Sequence, residues 1–100
     1  MMNQVEAMQA YMLQQSEYHL LVQMASQHGE RLISRYQAKR VAKNLEKFSR
    51  VTLDFQGVNA IGQGFVDELF HVWQQQHPNT TLAYINANGT VKFMIQRSGV

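Results

Sequence analysis

The chain has 100 residues, one proline, no cysteine, 45% hydrophobic residues and 16% charged ones, a size that suits one domain with its own core. Disulfide scaffolds, thiolate metal centres and thiol catalysis are excluded; no apolar run approaches the ~20 residues of a membrane span and no basic-then-apolar signal pattern opens the chain, so a soluble cytoplasmic protein is expected. The net charge of +2 conceals an asymmetry: Arg31 to Arg50 holds seven of the nine Lys and Arg with Glu46 as the only acid, a balance of +6, against −3 for residues 1–30 and −1 for residues 51–100.

Residues 1–16 form a Met- and Gln-rich arm in which Val5, Met8 and Met12 recur on one helical stripe. The arm reads as a docking helix or a frayed terminus, or else as an adaptable Met-rich contact surface, with dimerising the protein and docking on its own sheet as the roles open to it. The domain proper spans residues 17–100. From Tyr18 the period becomes two: Tyr18, Leu20, Val22 and Met24 alternate with His19, Leu21 and Gln23, which predicts a half-buried strand. Ser26 to Gly29 reads as a turn, and Arg31-Leu32-Ile33 as a short returning strand that completes a hairpin.

Ser34-x-x-Gln37 has the form of a capping box, so a helix is predicted over about Arg35 to Phe48. Ala38, Val41, Leu45 and Phe48 make its inner stripe, and Arg35, Lys39, Arg40, Lys43 and Lys47 a basic outer face. Val51, Leu53 and Phe55 alternate in the next strand. A loop through Gly57 then leads to a second helix at Gly62-Gln63-Gly64. Phe65, Val66, Leu69, Val72 and Trp73 are its apolar face, and His77-Pro78-Asn79 ends it. Thr81 to Ile85 is a further strand, and Asn88-Gly89-Thr90 opens a last helix. The fold class is α/β: an N-terminal hairpin, then alternating helix and strand, giving a small mixed sheet with helices packed on it.

The run from Val51 through Leu53-Asp54-Phe55, Gly57-Val58, Ile61-Gly62-Gln63 and Phe65-x-Asp67-Glu68 resembles the central motif of a bacterial STAS-like family of unassigned function. Ser34-Arg35, Ala38-Lys39-Arg40 and Ile85-Asn86-Ala87-Asn88 extend the likeness, which covers about residues 17–98. The resemblance implies a STAS-like fold and a regulatory module that acts on a protein partner, an ATPase-like or DNA-binding protein among the candidates. In anti-sigma-factor antagonists of this fold a phosphorylatable serine begins the helix after the Asp-containing strand. Gln63 stands in that slot here, which implies that the phosphorylation switch is missing.

The partner-binding residues expected on this basis are Asp54, Gly62, Gln63, Asp67 and Glu68. Gly62-Gln63-Gly64 lacks the endings of a P-loop or a dinucleotide fingerprint, so its glycines read as permitting a tight turn and close packing, with weak anion or nucleotide binding as the other reading. Asp67-Glu68-x-x-His71 has the spacing of a zinc-protease helix with the first His replaced. No third ligand is identifiable, so a solvated face or one ion-paired with Arg35 or Lys39 is expected, and no metal or cofactor. Asp54 reads as a cap on the following loop or as the border of a binding surface. No nucleophile elbow or poised carboxylate pair is present, so no catalytic residue is assigned. The basic face reads first as a solvated face, then as suited to an acidic protein or linked domain, or, as the alternative function, to a nucleic-acid backbone; aromatic interleaving is thin, with only Tyr36 near its boundary.

Overall fold

The computed structural model describes residues 19–28 and 31–97; the arm at 1–16 and Tyr18 at the head of the first expected strand lie outside them. β1 (His19–Gln23), β3 (Arg50–Asp54) and β5 (Thr81–Ile85) form a parallel sheet in the order β1-β3-β5. The register sets Leu20, Val51 and Leu82 abreast, and Val22, Leu53 and Tyr84 two residues further on. A period of two turns both rows to one face. Val51 and Leu53 are fully buried there, and Leu20, Leu82 and Tyr84 pack against the same core.

A second, two-stranded parallel sheet joins β2 (Arg31–Leu32) to β4 (Ala60–Ile61). The helices are α1 (Met24–His28), α2 (Arg35–Ala42), α3 and α4 (Gly89–Arg97). α3 runs unbroken over 63–76 in three stretches: Gln63–Val66, the π-helical Asp67–Trp73, and Gln74–Gln76. Phe65, Val66, Leu69, Val91 and Ile95 are fully buried, so α3 and α4 close the core over the sheet.

The alternation of strand and helix is as expected, but three features differ. The hairpin does not form. Met24 begins α1 instead of ending a strand, and the 24–28 helix carries the chain away so that β2 pairs with β4 instead of β1. A mixed sheet was expected, whereas every strand pairing among the described residues is parallel; the links from β1 to β3 and from β3 to β5 each contain helices, as parallel neighbours require. β4 is only two residues long, too short for periodicity to reveal.

The basic helix is also shorter than expected. α2 stops at Ala42, and Asn44 takes a left-handed φ of 70° before a 3₁₀ turn at Leu45–Lys47. Asparagine tolerates that conformation, so it ends helices much as glycine does. The inner stripe survives the break: Ala38, Val41 and Leu45 are buried, and Phe48 packs against the core. In α3, which takes a π-helical stretch at Asp67–Trp73, Phe70, absent from the expected apolar face, is buried one turn after Val66 while Val72 is half-buried.

Candidate functional site

The start of α2 is built as its sequence dictates. Ser34 Oγ accepts the Gln37 backbone N–H at 3.2 Å, and Gln37 Oε1 accepts the Ser34 N–H at 2.9 Å, completing the capping box. Gln37 does more than cap: Oε1 also accepts from the Ile33 N–H at 2.7 Å, and Nε2 donates to the Arg31 carbonyl at 2.6 Å. One side chain therefore fixes the backbone of 31–34 against the first turn of α2.

α3 begins against that fixed segment. The Gly62 N–H donates to the Leu32 carbonyl at 2.9 Å and the Phe65 N–H to the Ile33 carbonyl at 3.1 Å. A Cβ at Gly62 would lie 2.6 Å from the Ile33 oxygen. Glycine is required here for close approach, since its φ of −91° and ψ of 160° are open to any residue. Close packing was one reading of Gly62-Gln63-Gly64, and the contact at Gly62 supports it. Because a backbone carbonyl already occupies the Phe65 N–H, this helix start offers an anion fewer donors than a free one.

Arg35, on the first turn of α2, reaches across to α3. Its Nη2 is 3.1 Å from Asp67 Oδ2 and its Nη1 3.8 Å from Glu68 Oε1. The pairing expected of Asp67 and Glu68 with the basic helix is formed by Arg35, not Lys39. Of the five residues assigned to partner binding, Gly62, Gln63, Asp67 and Glu68 gather at this junction, with Gln63 exposed. Asp54 has other polar partners: its Oδ1 accepts the Gln56 N–H and Asn86 Nδ2, each at 3.0 Å. It caps the loop after β3 and ties that loop to the end of β5.

The basic face is redistributed by the helix break. Arg35, Lys39 and Arg40 stand on α2, Lys43 caps its C-terminus, and Lys47 belongs to the separate 3₁₀ turn. The five cations therefore do not line one continuous helical face. Beside α2, between it and α3, runs an open groove of about 520 Å³. Tyr36, Lys39, Arg40 and Lys43 form one wall; Glu68, Trp73, Gln76 and His77 form the other.

Tyr36, expected near the boundary of the basic face, stands 70% exposed in this groove, and one feature of the groove escaped the sequence. His77 stacks on Trp73 with ring centroids 4.3 Å apart, its Nδ1 donating to the Trp73 carbonyl at 2.9 Å. The i,i+4 spacing of Trp73 and His77 was the available signal. Gln74, next to Trp73, donates through Nε2 to the His77 and Thr80 carbonyls and accepts the Leu82 N–H at 3.1 Å. It anchors the start of β5 to the end of α3.

Among the described residues no three His, Asp or Glu side chains gather as a metal site, and no helix is long and apolar enough to cross a membrane. Residues 37–92 match the family described as STAS-like domain of unknown function (DUF4325). The chain belongs to this family. No curated protein and no solved structure matches it. The STAS-like match takes in most of α2, all of β3 and β5, Gly62 and the Asp67-Glu68 pair, and stops inside α4. Ser34-Arg35, part of the likeness read from the sequence, and Ile33, which Gly62 packs against, precede the matched stretch.

Proposed function

We propose that this STAS-like protein is a non-catalytic regulatory module that works by occupying a protein partner in the bacterial cytoplasm. The observation that supports this reading best is the α2–α3 groove, where Tyr36 is 70% exposed and Lys39, Arg40 and Lys43 have no ion pair among the described residues. An exposed aromatic flanked by unpaired cations is the composition of a protein contact with an acidic partner. Gln63 carries no hydroxyl, so the module works without a phosphorylation switch at the α3 start and its engagement depends on partner availability alone. Regulatory proteins with ATPase-like or DNA-binding domains are the partner class the family resemblance favours.

Nucleic acid is the competing partner, and the same residues decide between them. Tagged protein recovered from its native cell at two salt concentrations should bring down a protein whose recovery resists nuclease. Tyr36→Ala and Lys39→Glu/Lys43→Glu should each abolish that recovery, while Gln75→Ala on the exposed side of α3 should not. Nuclease-sensitive recovery, or duplex or single-stranded DNA binding at low salt that is lost on charge reversal, overturns the protein-partner reading.

A further inference from the structure

The three-stranded sheet has a second face, independent of the α2–α3 groove. The register that turns Val22, Leu53 and Tyr84 inward turns Leu21, Thr52 and Ala83 outward as one row, with His19, Arg50 and Thr81 on one side of it and Gln23, Asp54 and Ile85 on the other. None of these nine residues belongs to the core cluster. Leu21 and Ile85 remain 39% and 43% exposed, Ala83 is half-buried, and Thr52 shares a 2.9 Å hydrogen bond with His19 Nε2. Parallel sheets normally have both faces covered, because crossover connections and two-sided apolar strands leave neither face suited to water. Among the described residues Leu21 and Ile85 stand exposed on this face while Thr52 at its centre is 8% exposed, so the described layers cover it only in part.

The sequence contains a segment of matching chemistry. Residues 1–16 carry Val5, Met8 and Met12 on one helical stripe, and only Glu17 and Tyr18 separate the segment from β1. So short a link keeps residue 16 within about 10 Å of His19, at the Arg50 end of the face. Twelve residues of helix are about 18 Å long, while a three-stranded, five-residue sheet measures roughly 14 by 16 Å. One such helix spans the face. Residues 1–18 contain two acids, Glu6 and Glu17, and no base, and the corner where they would enter holds Arg50, which has no ion pair among the described residues. We propose that the outer face of the β1-β3-β5 sheet is the docking surface for the chain's own residues 1–16, with Val5, Met8 and Met12 seated over Leu21, Ala83 and Ile85.

The absence of cysteine makes the test direct. Met8→Cys/Ala83→Cys in the full chain, treated with a short bis-maleimide at low micromolar concentration, should give a cross-link within one chain. Met8→Cys/Gln75→Cys, whose second site lies on exposed α3, should give none. Products joined only between chains make the face a contact between copies and overturn the proposal, as does the lack of any cross-link or equal yield from the control pair. In parallel, Met8→Asp should speed amide exchange in β1 and β5 about tenfold while exchange in α2 is unchanged. Unchanged exchange in β1 and β5 overturns the proposal; uniform acceleration that includes α2 would mean global unfolding and also counts against a role confined to this face.

Discussion

Gly62→Ala isolates the contact that seats α3. The added Cβ would lie 2.6 Å from the Ile33 oxygen and 2.9 Å from its Cα, where real Cβ contacts essentially never fall below 3.0 Å, so the two segments must part by at least about 0.4 Å. Both atoms are backbone, held by the Gln37 side chain, and cannot rotate aside as a side-chain tip would. No dihedral penalty enters, because the Gly62 conformation is extended. Overpacking of this kind costs about 1–3 kcal/mol. The same displacement stretches the Gly62–Leu32 and Phe65–Ile33 hydrogen bonds, each contributing roughly 1 kcal/mol net. A loss of about 2–4 kcal/mol is expected, lowering Tm by roughly 10–20 °C in a domain of this size. Gly64→Ala is the control: its Cβ would meet Arg35 and Ile33 at an ordinary 3.6 Å, and alanine's helix propensity should leave stability equal or higher by up to about 1 kcal/mol. Urea and thermal unfolding followed by circular dichroism and by Trp73 fluorescence measure both. A Gly62→Ala protein as stable as the parent, or equal damage from both changes, would refute the close-approach argument.

Asn44→Val should destabilise by about 1–2 kcal/mol, since a β-branched residue resists the left-handed φ of 70° that ends α2, whereas Asn44→Gly should be neutral or better by urea midpoint. Gln74→Leu leaves the Leu82 N–H without its acceptor and should cost roughly 1–3 kcal/mol, with faster exchange of the Leu82 amide than of Val51 as its signature. The Arg35–Asp67 pair is 57% and 34% exposed, so a double-mutant cycle with Arg35→Gln and Asp67→Asn should give a coupling below about 1 kcal/mol that shrinks further in high salt; a larger, salt-insensitive coupling would show that the clamp is better shielded than its exposure suggests.

The readable parts of this chain were those whose signals are local. The Ser34–Gln37 capping box, the alternation in β3 and β5 and the buried stripe Ala38-Val41-Leu45 all follow from spacing within one or two turns. Pairing partners are set by tertiary placement, which no local pattern encodes. Arg31-Leu32 looked like a returning hairpin strand, yet its partner lies in Ala60-Ile61, two residues with no period to detect. The end of α2 is hard to read from the sequence, because Asn44 within a run of good helix formers is a weak stop signal beside glycine or proline. The π stretch in α3 and the triple role of Gln74 arise where a helix must meet both the sheet and the β5 entrance, and glutamine at a surface-like position gives no warning of it.

The residues the sequence nominated for partner binding and those the groove presents differ for a physical reason. At the α3 start, the Gly62 and Phe65 N–H groups already face backbone carbonyls, and both acids lie beside the Arg35 guanidinium. Donors and charges satisfied internally gain little from a partner, because each new contact must first replace an existing one. Further along the same helix pair the balance reverses: Lys39, Arg40 and Lys43 have no ion pair among the described residues, and Tyr36 keeps most of its surface in water. Removing that aromatic surface from water brings a gain without breaking any contact recorded within the domain. The clamp at the α3 start then serves the groove indirectly, by fixing the spacing of the two helices that form its walls.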